Sequence, residues 1–462
     1  MLSLRTMCLI SGVGIFLSLV QLLLGLFFKN ESLTTFYSCQ LFIFYGVSLW
    51  YSIRRYGAMN IFSLLLITTF IFTFGGIFLT PFTDLIDYKY YDSPWATLRY
   101  DEKIIQKVLA IYTLYINCFV LFYNLISRNT LCEKANIKIP LNGFFLRVGK
   151  YTMILFLPFA LYFSYTQMQL VFQNRTLLFQ LGSNAELGIP LYLRLTNLFF
   201  QVGYFLMIAS VPSKKTFLSF SFLYFCSVIP ILLMGERGDI AALILFIIWY
   251  MSKMYDTKFS FKKLGMLAVI MMLVFQILAY TRTGSEVENT SFFFLIIMFL
   301  FSQSQSFNIL ALYLSYNIEK LPHNYPYFLD SCIGGLMGVS GQSLETLSVR
   351  SSIGHHLVYY LNPDYYLAGA SLGTSFVTEI YEFKYVGVIL GALALAYFMY
   401  FVEYKMMKTP FLLIFLFDFF TIILLSPRGS LLPSIYFIIK YTLVALVLIT
   451  MSKILTRKKN II

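Results

Sequence analysis

Long apolar stretches separated by short polar ones dominate the chain. A helix needs about 20 apolar residues to cross the hydrocarbon core of a bilayer. Stretches of this kind begin at twelve places, near Met7, Thr34, Ile61, Val108, Tyr151, Leu191, Thr216, Ile240, Leu264, Tyr385, Phe411 and Leu431. The pattern therefore predicts an all-α polytopic membrane protein with about twelve transmembrane helices.

A thirteenth apolar stretch, residues 292–316, is interrupted in its middle by the polar run SQSQS at 302–306. Loops on the cytoplasmic side of a membrane protein are enriched in Lys and Arg. If this stretch does not cross, the cytoplasmic loops hold 20 basic and three acidic residues, and the outer side holds 13 basic and 17 acidic ones. If it crossed, Lys405, Lys408 and the basic tail would move outside. We therefore expect a re-entrant or surface-lying helix on the outer side.

The composition agrees with this picture, because only 12% of the residues are charged and 59% are hydrophobic. Soluble domains hold about 25% charged residues, so a water-soluble globule, a disordered chain and a nucleic-acid-binding arm are excluded. We expect one integral membrane domain over residues 1–462, with both termini cytoplasmic and a large extracytoplasmic segment at 280–384. The net charge of +13 then reports the orientation of insertion and is not a binding property.

The cysteines and histidines show no metal-ligand spacing. The six cysteines are scattered without a C-x-x-C pair, and all three histidines fall in the segment 280–384. We expect no metal and no cofactor.

Arginines on the outer side are informative because the orientation rule disfavours them there. Arg237, Arg282 and Arg428 each lie at the outer end of a predicted span and are followed by glycine within two residues, and Arg350 lies in the large outer segment. Guanidinium grips phosphate in a bidentate manner, and glycine lets the backbone approach closely. The four arginines predict a site for an anionic group at the membrane surface. The alternative is that each one snorkels to the interface or pairs with a neighbouring carboxylate.

The large outer segment also carries candidate acid–base groups. His355 and His356 follow Arg350, and Glu379 lies in the stretch GASLGTSFVTEIY at 369–381. Histidine and glutamate serve as general bases near neutral pH in suitable surroundings. The alternative is that the histidines are solvated loop residues and that Glu379 caps the next span.

Two charges fall inside predicted spans. Asp418 and Lys440 lie at similar distances on either side of the Arg428 turn, so adjacent helices would hold them at similar depth. An unpaired charge there is costly. We expect an ion pair between the last two helices; a proton relay is the alternative.

The order of these elements resembles the O-antigen and capsule polysaccharide polymerase family, Wzy. The resemblance rests on the G-x-R-G turn at 235–238, on Arg282, on the G-x-S-F-x-x-E-x-Y stretch at 373–381 that continues to Gly387, and on Arg428 between the last two spans. These elements cover residues 234–428, roughly the C-terminal half. The N-terminal half contributes only hydropathy.

The resemblance implies a metal-independent glycosyltransferase of the GT-C-like helical type in the bacterial cytoplasmic membrane. Such an enzyme transfers the growing glycan from one undecaprenyl pyrophosphate to the next lipid-linked repeat unit. Arg237, Arg282, Arg350 and Arg428 would bind the pyrophosphate, and Glu379, His355 or His356 would deprotonate the acceptor hydroxyl. The partners implied are the lipid-linked glycan, the bilayer and a chain-length regulator.

Two other functions fit parts of the pattern. An O-antigen ligase handles the same lipid-linked glycans with a similar topology. A lipid-linked oligosaccharide flippase or other transporter belongs to a different class, and transporters usually show internal repeats and binding groups near the midplane. Here the charges of interest lie mostly at one face, which favours the polymerase.

Overall fold

The computed structural model describes residues 3–459 except 29, 84–86, 94–95, 129–141, 174–188, 234–236, 284–291, 319–320, 322, 340, 370 and 410. Helices form at all twelve predicted apolar windows. All α-helices of the first two thirds of the chain, including the two of the stretch 292–316, are α1 (Leu4–Phe27), α2 (Glu31–Tyr56), α3 (Ile61–Thr69), α4 (Gly75–Leu79), α5 (Glu102–Ile126), α6 (Gly143–Gln173), α7 (Leu191–Ala209), α8 (Lys214–Leu233), α9 (Gly238–Met254), α10 (Phe261–Thr283), α11 (Phe292–Gln303) and α12 (Gln305–Ser315) within the described residues.

Short helices build most of the outer segment, and three longer ones end the chain. They are α13 (Asp330–Ile333), α14 (Leu344–Val349), α15 (Ile353–Leu361), α16 (Pro363–Leu367), α17 (Phe376–Ile380), α18 (Lys384–Tyr400), α19 (Leu416–Leu425) and α20 (Ile435–Lys459). Within the described part of the chain, eight helical segments are long and apolar enough to cross a membrane. The all-α polytopic fold class is therefore confirmed, while the number of twelve spans stays a prediction.

The core is centred on α5, most of which is buried by its neighbours. The face of α1 that turns inward carries small or polar residues, among them Ser11, Gly14 and Ser18, while most of its leucines are exposed. Small residues let membrane helices approach closely. At Gly14 an added Cβ would lie 2.3 Å from the side-chain amide of Asn117, so α1 packs directly on α5.

One small sheet departs from the all-helical pattern. Strands β1 (Tyr90–Ser93) and β2 (Ala96–Arg99) pair antiparallel in the connection between α4 and α5. Lys89, just before β1, bridges Glu31 at the start of α2 and Glu102 at the start of α5, at 3.2 and 2.9 Å. This connection therefore ties the ends of α2 and α5 together.

The interrupted stretch 292–316 forms α11 and α12 with a break at Ser304. Phe299 of α11 clusters with Phe275 of α10 and with Ile240 near the start of α9. At the break, the Ser304 hydroxyl accepts a hydrogen bond of 3.0 Å from the Gly76 N–H. These contacts place the first half of the pair near the ends of α4 and α10.

The second half of the pair returns toward the same side of the bundle. The side-chain oxygen of Asn308 accepts a hydrogen bond of 3.2 Å from Tyr100, which precedes α5, and Tyr313 packs against Tyr327 of the outer segment. We call this side, where α4 and α10 end and α5 begins, the site side. The re-entrant arrangement stays a prediction, because residues Phe292–Ser315 are also long and apolar enough to cross a membrane.

A buried carboxylate fastens the opposite side. Glu403 lies on the π-helical turn Phe401–Lys405 after α18 and is 3% exposed. It pairs with Lys253 at the end of α9 and accepts hydrogen bonds from the Asn60 amide (3.1 Å) and the Ile61 N–H (3.3 Å). Three helices thus meet at one carboxylate.

The predicted ion pair between Asp418 and Lys440 is wrong. Both residues are described, and no salt bridge joins them. The Lys440 ammonium lies instead over the rings of Tyr436 and Phe437, at 5.6 and 5.8 Å from their centroids, within its own helix. The helices that carry the two residues do not pack extensively on each other, since α7 packs against both α19 and α20. Similar distances from the Arg428 turn therefore did not bring the two side chains together.

Candidate functional site

Two turns that are distant in sequence meet on the site side. The first is the stretch 371–375 that leads into α17, where the Ser375 hydroxyl accepts the Thr378 N–H and so caps the helix. The second is the 3-10 turn Ser426–Arg428 after α19, which continues to Ser430. A hydrogen bond from the Ser430 hydroxyl to Oε1 of Glu379 joins them. The helix that carries the predicted acid and the turn that carries the predicted arginine therefore pack against each other.

Glu379 is buried, and only one of its two carboxylate oxygens accepts hydrogen bonds from the described residues. Its side chain is 3% exposed, and Oε1 accepts hydrogen bonds from Ser430 and, at 3.0 Å, from Thr374. Oε2 is buried and has no hydrogen-bond partner among the described residues. Buried polar atoms are nearly always paired, so Oε2 is an acceptor left open for a donor that the chain does not supply.

Arg428 is held without a counter-charge. Its Nη1 donates to the side-chain oxygen of Gln303 at the end of α11, and its guanidinium carbon lies 5.8 Å from the centroid of the Phe72 ring. The residue is exposed, and no described carboxylate lies within 4 Å of its charged nitrogens. The positive charge is therefore available to an anionic ligand.

Two glycines bring α15 against the same loop. A Cβ added to Gly354 would lie 2.4 Å from the carbonyl oxygen of Gly373, and Gly373 itself adopts a φ of +73°, which favours glycine. His355 and His356 follow Gly354 directly. The close approach of the two backbones thus fixes both histidines beside the Gly373–Glu379 stretch.

The family model for O-antigen polysaccharide polymerase Wzy matches residues 10–460, nearly the whole chain. The chain belongs to this family. It polymerises lipid-linked oligosaccharide repeat units, and the ligase and transporter alternatives are not favoured. The resemblance found in the sequence is thereby confirmed. No curated protein and no solved structure matches the chain.

His355 and His356 are neutral at neutral pH, because the pKa of each is lowered. Burial, together with the nearby positive charge of Arg350, lowers the pKa of His355 to about 4, and burial also lowers the pKa of His356. The Nδ1 of His356 donates to the Ser352 carbonyl at 2.9 Å, whereas the buried Nδ1 of His355 has no hydrogen-bond partner among the described residues. A general base works best with a pKa near the operating pH, so His355 is a weak base there.

Arg350 pairs with a carboxylate, as the alternative interpretation of the outer arginines predicted. Its Nε and Nη2 donate to the two oxygens of Asp330 at 3.2 and 2.8 Å, and the Tyr325 hydroxyl donates to Asp330 at 2.7 Å. Gly334 leaves room for the pair, because a Cβ there would lie 2.7 Å from Arg350 Nη2. The charge of Arg350 is thus largely neutralised within the outer segment.

The remaining two arginines lie along α10. Arg237, which precedes α9, donates from Nη1 to the Phe275 carbonyl of α10 at 2.9 Å. Arg282 is seven residues further along that helix, about 10 Å by helical rise, but its side chain lies outside the described residues. The sequence predicted one site for all four arginines, but the described contacts of Arg237, Arg350 and Arg428 are with three different segments, namely α10, Asp330 and the end of α11.

Several residues of the site carry no recognisable motif. Gln303 belongs to the polar run 302–306, from which the sequence predicted only a helix break. Ser430 follows the Arg428 turn and is part of no motif. His323 also lies outside any motif. Its Nε2 lies 2.7 Å from Glu382 Oε1 and its Nδ1 lies 2.9 Å from the Leu321 carbonyl, which ties the turn after Glu379 to the outer segment. Among the described residues, no group of three His, Cys, Asp or Glu side chains forms a metal site.

Proposed function

We propose that the polymerase catalyses glycan transfer between the Arg428 guanidinium and the Glu379 carboxylate. The observation that carries this proposal is the Ser430–Glu379 hydrogen bond, which joins the turn that carries the uncompensated Arg428 to the half-satisfied Glu379 carboxylate. The reaction requires both groups, because the growing glycan must lose its pyrophosphate and the acceptor hydroxyl must lose its proton.

The acceptor hydroxyl of the next repeat attacks the anomeric carbon of the growing glycan. The bond between that carbon and the pyrophosphate oxygen breaks, and its electron pair leaves with the pyrophosphate. Glu379 takes the hydroxyl proton on Oε2, the oxygen that has no partner in the chain. A single displacement of this kind inverts the anomeric centre.

Arg428 stabilises the negative charge that develops on the departing pyrophosphate, since fixed charges aimed at developing charge lower the barrier most. We also assign Arg237 and Arg282 to pyrophosphate binding, on the sequence pattern of outer arginines that are followed by glycine. Arg350 is left out of the pyrophosphate set because Asp330 already binds it in a bidentate manner. His355 and His356 support the loop, and we do not assign them the base role.

The test is polymer formation by variants in a strain lacking the polymerase. Glu379→Gln and Arg428→Lys should each leave single repeats in place of the glycan ladder, because the first removes the base and the second removes the planar guanidinium fork. The matched controls are Glu345→Gln and Arg99→Lys, which change exposed residues of the outer segments. Wild-type ladders from Glu379→Gln or Arg428→Lys would refute the assignment.

The proposal includes the location and the orientation of the polymerase in the membrane. The site side faces out of the cytoplasmic membrane, both termini face the cytoplasm, and residues 1–462 act as one membrane domain. The basic bias of the opposite loops supports this orientation. Reporter fusions after α4 and at the C-terminus would test it, and the first should report an outer location and the second a cytoplasmic one.

Metal independence is proposed from family membership and from the lack of metal-ligand spacing in the sequence, and the chain-length regulator is proposed from family membership alone. Activity of the purified polymerase in excess chelator tests the first. Co-purification of a regulator with the tagged polymerase from its own membrane tests the second.

A further inference from the structure

The outer segments hold two arginines in chemically different ways. Arg350 donates to both oxygens of the Asp330 carboxylate, which cancels its charge. Arg428 donates to the amide oxygen of Gln303, which orients the guanidinium but adds no charge. A carboxylate would bind Arg428 more strongly than an amide does. The neutral partner therefore keeps a full positive charge at the position where the proposed reaction needs it.

Gln303 is itself fixed by the break between α11 and α12. It is the last residue of α11 and is 6% exposed. The next residue, Ser304, accepts the Gly76 N–H, and a Cβ at Gly76 would lie 2.7 Å from the Ser304 hydroxyl oxygen. The close contact between α4 and the break thus fixes the backbone position of Gln303. The polar interruption in an apolar stretch then has a function beyond ending a helix.

We propose that Gln303 is a positioning residue that orients Arg428 toward the substrate pyrophosphate while leaving its charge uncompensated. This inference rests on the proposed role of Arg428. It predicts that the chemical identity of residue 303 controls the affinity for an anion, and not only the stability of the helix pair.

The decisive variant is Gln303→Glu, which keeps the size and the acceptor oxygen but adds a negative charge. It should pair with Arg428 as Asp330 pairs with Arg350. Inhibition of the purified polymerase by inorganic pyrophosphate should weaken about tenfold, the size expected for losing one charge-assisted hydrogen bond, and kcat/KM for the lipid-linked repeat should fall at least as much. The matched control is Gln305→Glu. Gln305 lies across the break and accepts a hydrogen bond from Asn308, not from Arg428, so its inhibition constant should stay at the wild-type value.

A second variant keeps the test valid if Gln303→Glu does not fold. Gln303→Met has a similar length and no charge, so it removes only the orientation and should lower kcat/KM by several-fold. Wild-type pyrophosphate inhibition in Gln303→Glu, or wild-type kinetics in Gln303→Met, would overturn the proposal.

Arg428→Ala separates this inference from the proposed function. If Arg428→Ala is inactive while the Gln303 variants behave as wild type, only the positioning role fails. If Arg428→Ala keeps full activity and pyrophosphate inhibition, the proposed function fails as well.

Discussion

The Ser430 hydroxyl donates a hydrogen bond to Oε1 of Glu379, across 51 positions of sequence. It connects the turn that carries Arg428 to the helix that carries the proposed base. The bond therefore helps to set the relative position of the two groups to which we assign the transfer reaction.

Removing this bond should slow polymerisation without unfolding the protein. We expect Ser430→Ala to reduce the polymerisation rate by several-fold, because a typical hydrogen bond contributes about 1 kcal/mol and Thr374 still holds Oε1. Ser430→Thr, which keeps the hydroxyl, should retain most of the activity. The rate of ladder formation with purified enzyme measures this, and Ser348→Ala is the control at an exposed serine of the outer segment. A wild-type rate in Ser430→Ala would show that the bond does not position Glu379.

The Arg350–Asp330 pair should matter for stability more than for substrate binding. The two side chains are 23% and 10% exposed, and breaking such a pair leaves a poorly solvated charge behind. We expect Arg350→Ala and Asp330→Ala each to cost about 2 kcal/mol of unfolding free energy, an intermediate value between exposed and buried pairs. The double variant should cost less than the sum.

Thermal unfolding in detergent measures these costs, and KM for the lipid-linked repeat should stay near the wild-type value in Arg350→Ala. A large rise in KM with unchanged stability would return Arg350 to the pyrophosphate site.

His355 should make the folded state sensitive to mild acid. Its pKa is lowered from 6.5 to about 4 in the folded protein, so between these values the unfolded chain binds more protons than the folded one. Stability should therefore be complete above about pH 6.5 and should fall as the pH is lowered toward 4.

His355→Gln removes this titration, so its melting temperature should change less than that of the wild type between pH 7 and pH 5. Because the neutral histidine is a weak base, His355→Gln should also keep far more activity at pH 7 than Glu379→Gln does. Equal pH sensitivity of the two proteins would assign the acid response to other groups.

The contact between Gly354 and Gly373 should tolerate no added carbon. Gly354→Ala places a methyl group 2.4 Å from a backbone carbonyl oxygen, so the loop before Glu379 must shift. We expect at least a tenfold loss of activity, because small displacements of catalytic groups cost about that much or more. Gly265→Ala is the control, since a Cβ at that helical glycine meets nothing within 4 Å. Activity of Gly354→Ala equal to that of Gly265→Ala would contradict the packing described.

Apolar runs of about 20 residues have one stable form in a bilayer, because every backbone polar group must be paired within the segment. For that reason the helices at all twelve windows, and the break within 292–316, could be predicted from local sequence. The ordered elements around Arg237, Glu379 and Arg428 were also sufficient to identify the polymerase family. These features depend on residues close together in the chain.

The contacts between distant helices were decided by the tertiary structure. Whether Arg350 meets Asp330 while Arg428 meets Gln303, and whether Asp418 meets Lys440, depends on which helices pack together and on how each one is rotated about its axis. Hydropathy is the same for many such rotations, and only the packing of the whole bundle, such as Gly76 on Ser304 and Gly354 on Gly373, selects one of them.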